Sequence, residues 1–245
     1  MEKRLFTILT NNSVAVGVNR IELEACESGY EPSGEFVDVA IEGLYLRRPM
    51  SICDGGPGRL VFFYKVVGEG TKRLAEMAPG ATLDILTGLG NGFNPDECRS
   101  EALLIGGGLG AAPLYRICKE LKARGKKVTA VLGFNKADEI ILEKEFREAA
   151  DSLVIATADG SVGVKGFVTD AVREAAPQYD YYYTCGPNVM MKALFGQLSG
   201  SGEYSLGDRM GCGAGYCYGC SLETASGPKR ICKDGPVFKK EELLW

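Results

Sequence analysis

The pattern of apolar and polar positions changes character near residue 95. Before it, short runs suit β-strands. Phe36, Val37, Asp38, Val39, Ala40 and Ile41 alternate, residues 60–67 are largely apolar, and residues 82–86 form another short run. Glycine and proline punctuate these runs, which predicts an antiparallel barrel. A single helix is expected to interrupt it, with Thr71 as N-cap, Leu74, Ala75 and Met77 inside, and Pro79-Gly80 as its stop. From about Arg99 strands and helices alternate. Strands are predicted at 102–105, 128–132, 153–156 and 181–184, and helices at 112–123, 138–150, 168–175 and 189–198. This order predicts a parallel, doubly wound sheet of nucleotide-binding type. After Ser199 periodicity fades while Gly and Cys accumulate, so a metal centre is expected to order that stretch. The predicted class is α/β plus β: a β-barrel domain over 1–98, an α/β domain over 99–198 and a small metal-binding region over 199–245.

Composition narrows the chemistry. The 33 glycines cluster in short groups, which suggests turns where backbone approaches a ligand closely. A net charge of -4, with no basic run, supplies no field for nucleic acid. The longest uncharged stretches, 5–19 and 102–115, are shorter than the roughly 20 residues of a membrane helix. Thr7, Thr10, Asn11, Asn12 and Ser13 break any secretory core in the first of them, so a cytoplasmic chain without a membrane partner is expected. Nine cysteines there suit metal ligation or redox chemistry better than disulfides. Histidine is absent, which excludes His-based triads, His zinc sites, His-ligated haem and Rieske clusters.

Cys212, Cys217, Cys220 and Cys232 are separated by four, two and eleven residues. The first two gaps match the plant-type [2Fe-2S] pattern, and the small residues around Cys212 allow backbone N–H groups to turn toward sulfur. The plainer alternative is a structural four-cysteine zinc site; such sites usually pair two Cys-x-x-Cys knuckles, and this stretch has one. Cys26, Cys53, Cys98 and Cys118 are scattered and read as ordinary structural cysteines. Cys185 differs, because it ends a predicted strand and opens Cys185-Gly186-Pro187 before a helix.

Gly106, Gly107, Gly108 and Gly110 join a strand to a helix, as a pyrophosphate-binding turn does, although such a turn can also serve packing alone. Arg48-Pro49-Met50-Ser51 puts a cation and a hydroxyl on one extended stretch, and Gly70-Thr71 opens a helix. Taken alone, a tetrapeptide of that kind is most often plain surface.

In order along the chain, these segments resemble the ferredoxin-NADP reductase superfamily, and within it the electron-transfer subunit of type B dihydroorotate dehydrogenase. The likeness spans essentially the whole chain. Besides the segments above it rests on residues 64–71, Leu89-Gly90-Asn91-Gly92-Phe93, Asp159-Gly160-Ser161, residues 163–170 and Cys232-Lys233-Asp234-Gly235-Pro236-Val237-Phe238. It implies that Arg48, Pro49, Met50 and Ser51 contact FAD, that Lys65, Val66 and Val67 line the isoalloxazine ring, and that Gly70 and Thr71 bind phosphate. It further implies that Gly106, Gly107, Gly108, Gly110, Asp159, Cys185, Gly186 and Pro187 face NAD(H), with Cys185 as the candidate catalytic residue. Two positions depart from the family: Thr87-Gly88 stands where a Gly-Pro is usual, and Met50 where the wider superfamily has an aromatic.

The implied cofactors are FAD, a [2Fe-2S] cluster and NAD(H), and the implied partner is an FMN-containing dihydroorotate dehydrogenase catalytic subunit in a hetero-oligomer. The flavin of such a chain converts the electron pair of a hydride to single electrons, chemistry that needs no histidine. Two other readings stay open. One is a subunit of an NADH-dependent ferredoxin:NADP+ transhydrogenase or hydrogenase-type complex; the other is a zinc-stabilised nucleotide-binding interaction module without redox activity. Residues 133–139 carry two acids, one Lys and no Arg, so NADH is expected over NADPH.

Overall fold

Alternation in the first ninety residues turns one side of each strand toward a shared core, and the strands close on themselves. The computed structural model of the chain describes residues 1–31 and 34–245. It forms two compact units: Met1–Gly92 with Asp208–Leu222 and Lys229–Pro236, and Phe93–Gly207 with Glu223–Pro228 and Val237–Trp245. The stretch 199–245, taken above as one region, is therefore shared between both units.

In the first unit, β1 (Glu2–Ala15), β2 (Val18–Ala25), β3 (Phe36–Val39), β4 (Arg48–Gly56), β5 (Arg59–Lys65) and β6 (Thr82–Leu89) form a closed barrel in the order β1-β2-β5-β4-β3-β6. Every neighbouring pair is antiparallel. Phe6, Ile8, Ile21, Leu23, Val37, Val39, Ile52 and Phe62 belong to its core. Each such side chain contributes about 1.5–3 kcal/mol when fully buried. Helix α1 (Glu69–Glu76) follows β5. Asn11 of β1 caps its far end, donating from Nδ2 to the carbonyls of Leu74 at 2.8 Å and Met77 at 3.1 Å. Thr71 is not the N-cap. Gly68 holds that place, and the Thr71 hydroxyl folds back to accept N–H bonds from Val67 at 3.0 Å and Gly68 at 3.2 Å.

The second unit carries β7 (Glu101–Gly107), α2 (Ala111–Ala123), β8 (Lys127–Phe134), α3 (Glu143–Ala149), β9 (Ser152–Thr157), β10 (Val164–Lys165), α4 (Val168–Ala175), β11 (Tyr181–Cys185), α5 (Asn188–Gln197) and β12 (Gly202–Ser205). The chain then passes through β13 (Ser221–Thr224), β14 (Gly227–Arg230) and the short α6 (Ile231–Asp234) to β15 (Val237–Lys239). The sheet order is β10-β9-β8-β7-β11-β12-β15, parallel except for β15. Its strand order reverses between β7 and β11, the switch point where such sheets bind ligands.

Two expectations change here. The helix expected over 138–150 begins only at Glu143; residues 137–139 make a 3-10 turn and Leu142 takes φ 59°. Ile141 and Leu142 are both buried as a result, which a continuous helix with a solvent face at 138–142 does not provide. The stretch after Ser199 is also more regular than predicted. β12 pairs with β11 and β15 with β12, and the Tyr182 and Tyr204 hydroxyls meet at 3.1 Å in the interior.

Candidate cofactor sites

Cys212, Cys217, Cys220 and Cys232 all lie in the first unit. Their loop has little regular structure between Asp208 and Gly219, and the thiols converge as two pairs, Cys212 with Cys217 and Cys220 with Cys232. Main-chain donors turn toward them. Tyr216 and Cys217 donate to Cys212 Sγ at 3.2 and 3.4 Å, Gly219 to Cys217 Sγ at 3.4 Å, and Cys232 to Cys220 Sγ at 3.4 Å. Burial opposes ionisation of Cys212, but the N–H groups of Ala214, Cys217 and Tyr216 prevail and bring its thiol down to about 6. Cys232 goes the other way, to about 12, pushed first by burial and then by Cys220.

Two pairs of sulfurs amid main-chain donors fit a centre of two irons, each taking two cysteines. The loop and the segment that follows Cys232 are each tied down. Arg230 reaches the Gly215 carbonyl at 3.0 Å while paired with Asp234 at 3.0 Å, and Asn91 donates to the Gly235 carbonyl at 2.7 Å.

The flavin candidates also lie in the first unit. Arg48, Pro49, Met50 and Ser51 open β4, and the Arg48 guanidinium passes over Gly70: a Cβ there would stand 2.5 Å from Nε. A cation is thereby laid against the first turn of α1, an arrangement suited to a pyrophosphate. Met50 turns into the barrel core, so its side chain supports the strand from within. Ser51 is half-buried opposite Phe36. Lys65 and Val67 are exposed and Val66 packs against the barrel core, leaving one exposed edge at the end of β5.

The nucleotide candidates lie in the second unit. β7 and β11 are adjacent with Gly106 opposite Cys185, so both turns emerge side by side at the carboxyl edge. They touch: a Cβ on Gly110 would overlap the Cys185 carbonyl, and one on Gly107 would stand 2.5 Å from Met190 Sδ and 3.0 Å from Pro187. Gly108 takes φ 54°, which lets the chain turn into α2. Asp159 sits beyond β9 with its carboxylate engaged, accepting from the Ser161 N–H at 3.0 Å and hydroxyl at 2.6 Å. Ser161 in turn accepts the Ala137 N–H at 2.9 Å, tying the turns after β8 and β9 together.

Sequence reasoning missed Asp38, which lies against this cluster loop. Alternation over residues 36–41 does place Asp38 opposite in sense to the inward Val37 and Val39, but nothing local tells what covers it.

A closed antiparallel barrel followed by a doubly wound sheet, with paired thiols on a loop, defines the class of iron-sulfur flavoprotein reductases that use a pyridine nucleotide. Residues 208–244 match the family described as the iron-sulfur cluster binding domain of dihydroorotate dehydrogenase B, and residues 104–195 match the oxidoreductase NAD-binding domain. The chain is 40% identical over 259 aligned residues to the dihydroorotate dehydrogenase B (NAD(+)) electron transfer subunit of Geobacillus sp. (strain WCH70), covering 100% of this chain and 99% of that protein. It is 38% identical, with the same coverage, to the subunit of that name from Bacillus mycoides (strain KBAB4). A solved structure of an NADH-dependent reduced ferredoxin-NADP oxidoreductase, studied for flavin-based electron bifurcation, superposes with a TM-score of 0.88 at 33% identity, covering 98% of this chain and 90% of its own. The chain belongs to the family of dihydroorotate dehydrogenase B electron transfer subunits. No described helix is long and apolar enough to cross a membrane.

Proposed function

We propose that this chain carries electrons between NAD+ and a partner flavoprotein, the FMN-containing catalytic subunit of a dihydroorotate dehydrogenase, in the oxidation of dihydroorotate for pyrimidine biosynthesis. The observation that carries the reading is the match of residues 208–244 to the cluster-binding family, a segment in which Cys212 lies beside Cys217 and Cys220 beside Cys232. When bound, FAD exchanges hydride with the nicotinamide and single electrons with an iron-sulfur centre. The residues of the chain bind and orient. Arg48 and the first turn of α1 hold the flavin pyrophosphate, Lys65, Val66 and Val67 border the ring, and Cys212, Cys217, Cys220 and Cys232 hold the irons. The turns at Gly106, Gly107, Gly108 and Gly110, together with Cys185, Gly186 and Pro187, seat the nicotinamide nucleotide. Cys185 would border the nicotinamide ring when the nucleotide is bound, and Asp159 shapes the neighbouring turn. Cys217, Tyr216 and Tyr218 are exposed on the cluster loop, which makes that rim the face toward the partner.

The test is reconstitution. The isolated chain, loaded with FAD and iron, is expected to reduce artificial dyes with NADH and to form no orotate. Adding the catalytic subunit is expected to create dihydroorotate-dependent NAD+ reduction, with NADH preferred over NADPH in the reverse dye assay. Orotate production by the chain alone refutes the division of labour. The likeness to the ferredoxin-NADP oxidoreductase favours a second reading, as a subunit of a transhydrogenase-type complex. Copurification of a second reductase in place of a dihydroorotate dehydrogenase subunit selects that reading.

A further inference from the structure

Behind the cluster loop the barrel presents an acid. Asp38 lies in β3, between the inward Val37 and Val39, and the residue is 2% exposed. The residue covering it is Gly213, immediately after Cys212: a Cβ on Gly213 would stand 2.5 Å from Asp38 Oδ2. Gly213 takes φ 63°, so its glycine both permits the turn and leaves room for the carboxylate. Asp38 Oδ1 is buried without a hydrogen-bond partner. Two cations flank the acid. Arg47 donates to the Asp38 main-chain oxygen at 3.3 Å and is itself held by Asp84 at 2.9 Å, while Arg48 is the guanidinium that crosses Gly70. Asp38, Arg47, Arg48 and Asp84, with Lys3 pairing the other Asp84 oxygen at 3.1 Å, are thus charged groups gathered at this place.

We infer that the Asp38 carboxylate, buried under Gly213 and flanked by Arg47 and Arg48, is a charge-setting residue that keeps the reduction potential of the iron-sulfur centre low. The inference rests on the functional reading above, since it takes the four cysteines to hold that centre. Four thiolates, two sulfides and two ferric ions leave the centre a dianion, and the one electron it accepts from the reduced partner makes it a trianion. A fixed negative charge behind the loop, poorly solvated because it is buried, opposes that added charge; Arg47 and Arg48 moderate it. Burial pushes the Asp38 carboxyl up to about 6, with Arg47 and then Arg48 working against the rise, so it is ionised at pH 8.

The test is a potentiometric titration at pH 8 of the flavin- and iron-loaded chain, following the cluster by electron paramagnetic resonance. Iron and sulfide analysis of the unsubstituted chain comes first: without a centre the functional reading fails, and with one only the role of Asp38 is on trial. Asp38→Asn keeps the shape and removes the charge. It is expected to raise the midpoint by about tenfold in the reduction equilibrium, ~59 mV for one electron. Arg47→Gln removes a moderating cation and is expected to lower the midpoint, a reversal of sign that loosened packing does not produce. A midpoint in Asp38→Asn within about twofold of the unsubstituted chain, ~18 mV, or shifts of the same sign in both variants, overturns the inference. If Asp38→Asn holds no iron, Arg47→Gln decides; loss of the centre from both variants also overturns it, because a charge-setting role leaves the ligands intact.

Discussion

The glycine turn after β7, with the Cys185 turn beside it, and the cysteine loop of the first unit hold their backbones in place by opposite means. The turns are fastened to a sheet. Their positions follow from the pairing of β7 with β11 and from direct contact between Gly110 and Cys185. The cluster loop has almost no ladder of its own; its N–H groups point at sulfur, and Arg230 and the barrel wall brace it from outside. A site made by sheet register stands without its ligand, whereas a site made by converging thiols draws much of its order from what the thiols bind.

The contrast breaks most sharply at the cysteines. Cys217→Ser is expected to abolish iron retention and dihydroorotate-dependent NAD+ reduction with the partner, by more than about 100-fold. Flavin bleaching by NADH in stopped flow is expected to stay within about threefold, because the hydride step needs neither the loop nor its metal. Loss of both together means the two regions are not separable. The reciprocal experiment is Gly110→Ala. Its methyl group overlaps the Cys185 carbonyl, so the KM for NADH is expected to rise by more than about tenfold with a stability loss of about 1–3 kcal/mol. Iron content is expected to be unchanged, read by chemical analysis.

A smaller effect separates the units by pH. Glu203 of β12 is buried, accepts the Asn94 N–H at 2.9 Å and has Glu97, Lys239 and Glu242 around it. Burial pushes its carboxyl from 4.5 up to about 7. The folded chain then holds a proton that the unfolded chain releases, so this contribution is full below about 4.5 and is lost as pH rises through about 7. Glu203→Gln is expected to melt higher than the unsubstituted chain by a wider margin at pH 8 than at pH 5, on the order of 1–3 kcal/mol. An equal margin at both pH values rejects this origin. Least of all, Ser161→Ala removes the hydroxyl between Asp159 and Ala137, for about 0.5–1.5 kcal/mol and less than about threefold in the KM for NADH. A calorimetric scan and steady-state kinetics check both numbers.

Local pattern and spacing alone determined that there is a barrel followed by a doubly wound sheet, the glycine turn after β7, and the spacing of Cys212, Cys217, Cys220 and Cys232. Each is encoded in short-range signals along the chain, where periodicity, punctuation and gap length act directly on the backbone. β1 is less visible, because Thr10, Asn11, Asn12 and Ser13 interrupt its apolar alternation. Only the tertiary structure shows Asn11 spending its amide on the end of α1. The same holds for β12 and β15, four and three residues long, whose membership in the sheet comes from pairing with β11 and with each other. The break at Leu142 and the inward turn of Met50 were likewise settled by what the surrounding core had room to bury. Asp38 is the clearest case. Its neighbours in sequence say that it faces away from Val37 and Val39, but its meaning depends on Gly213, which arrives from the far end of the chain, and such a contact leaves no trace in local pattern because packing pairs residues by space and not by order.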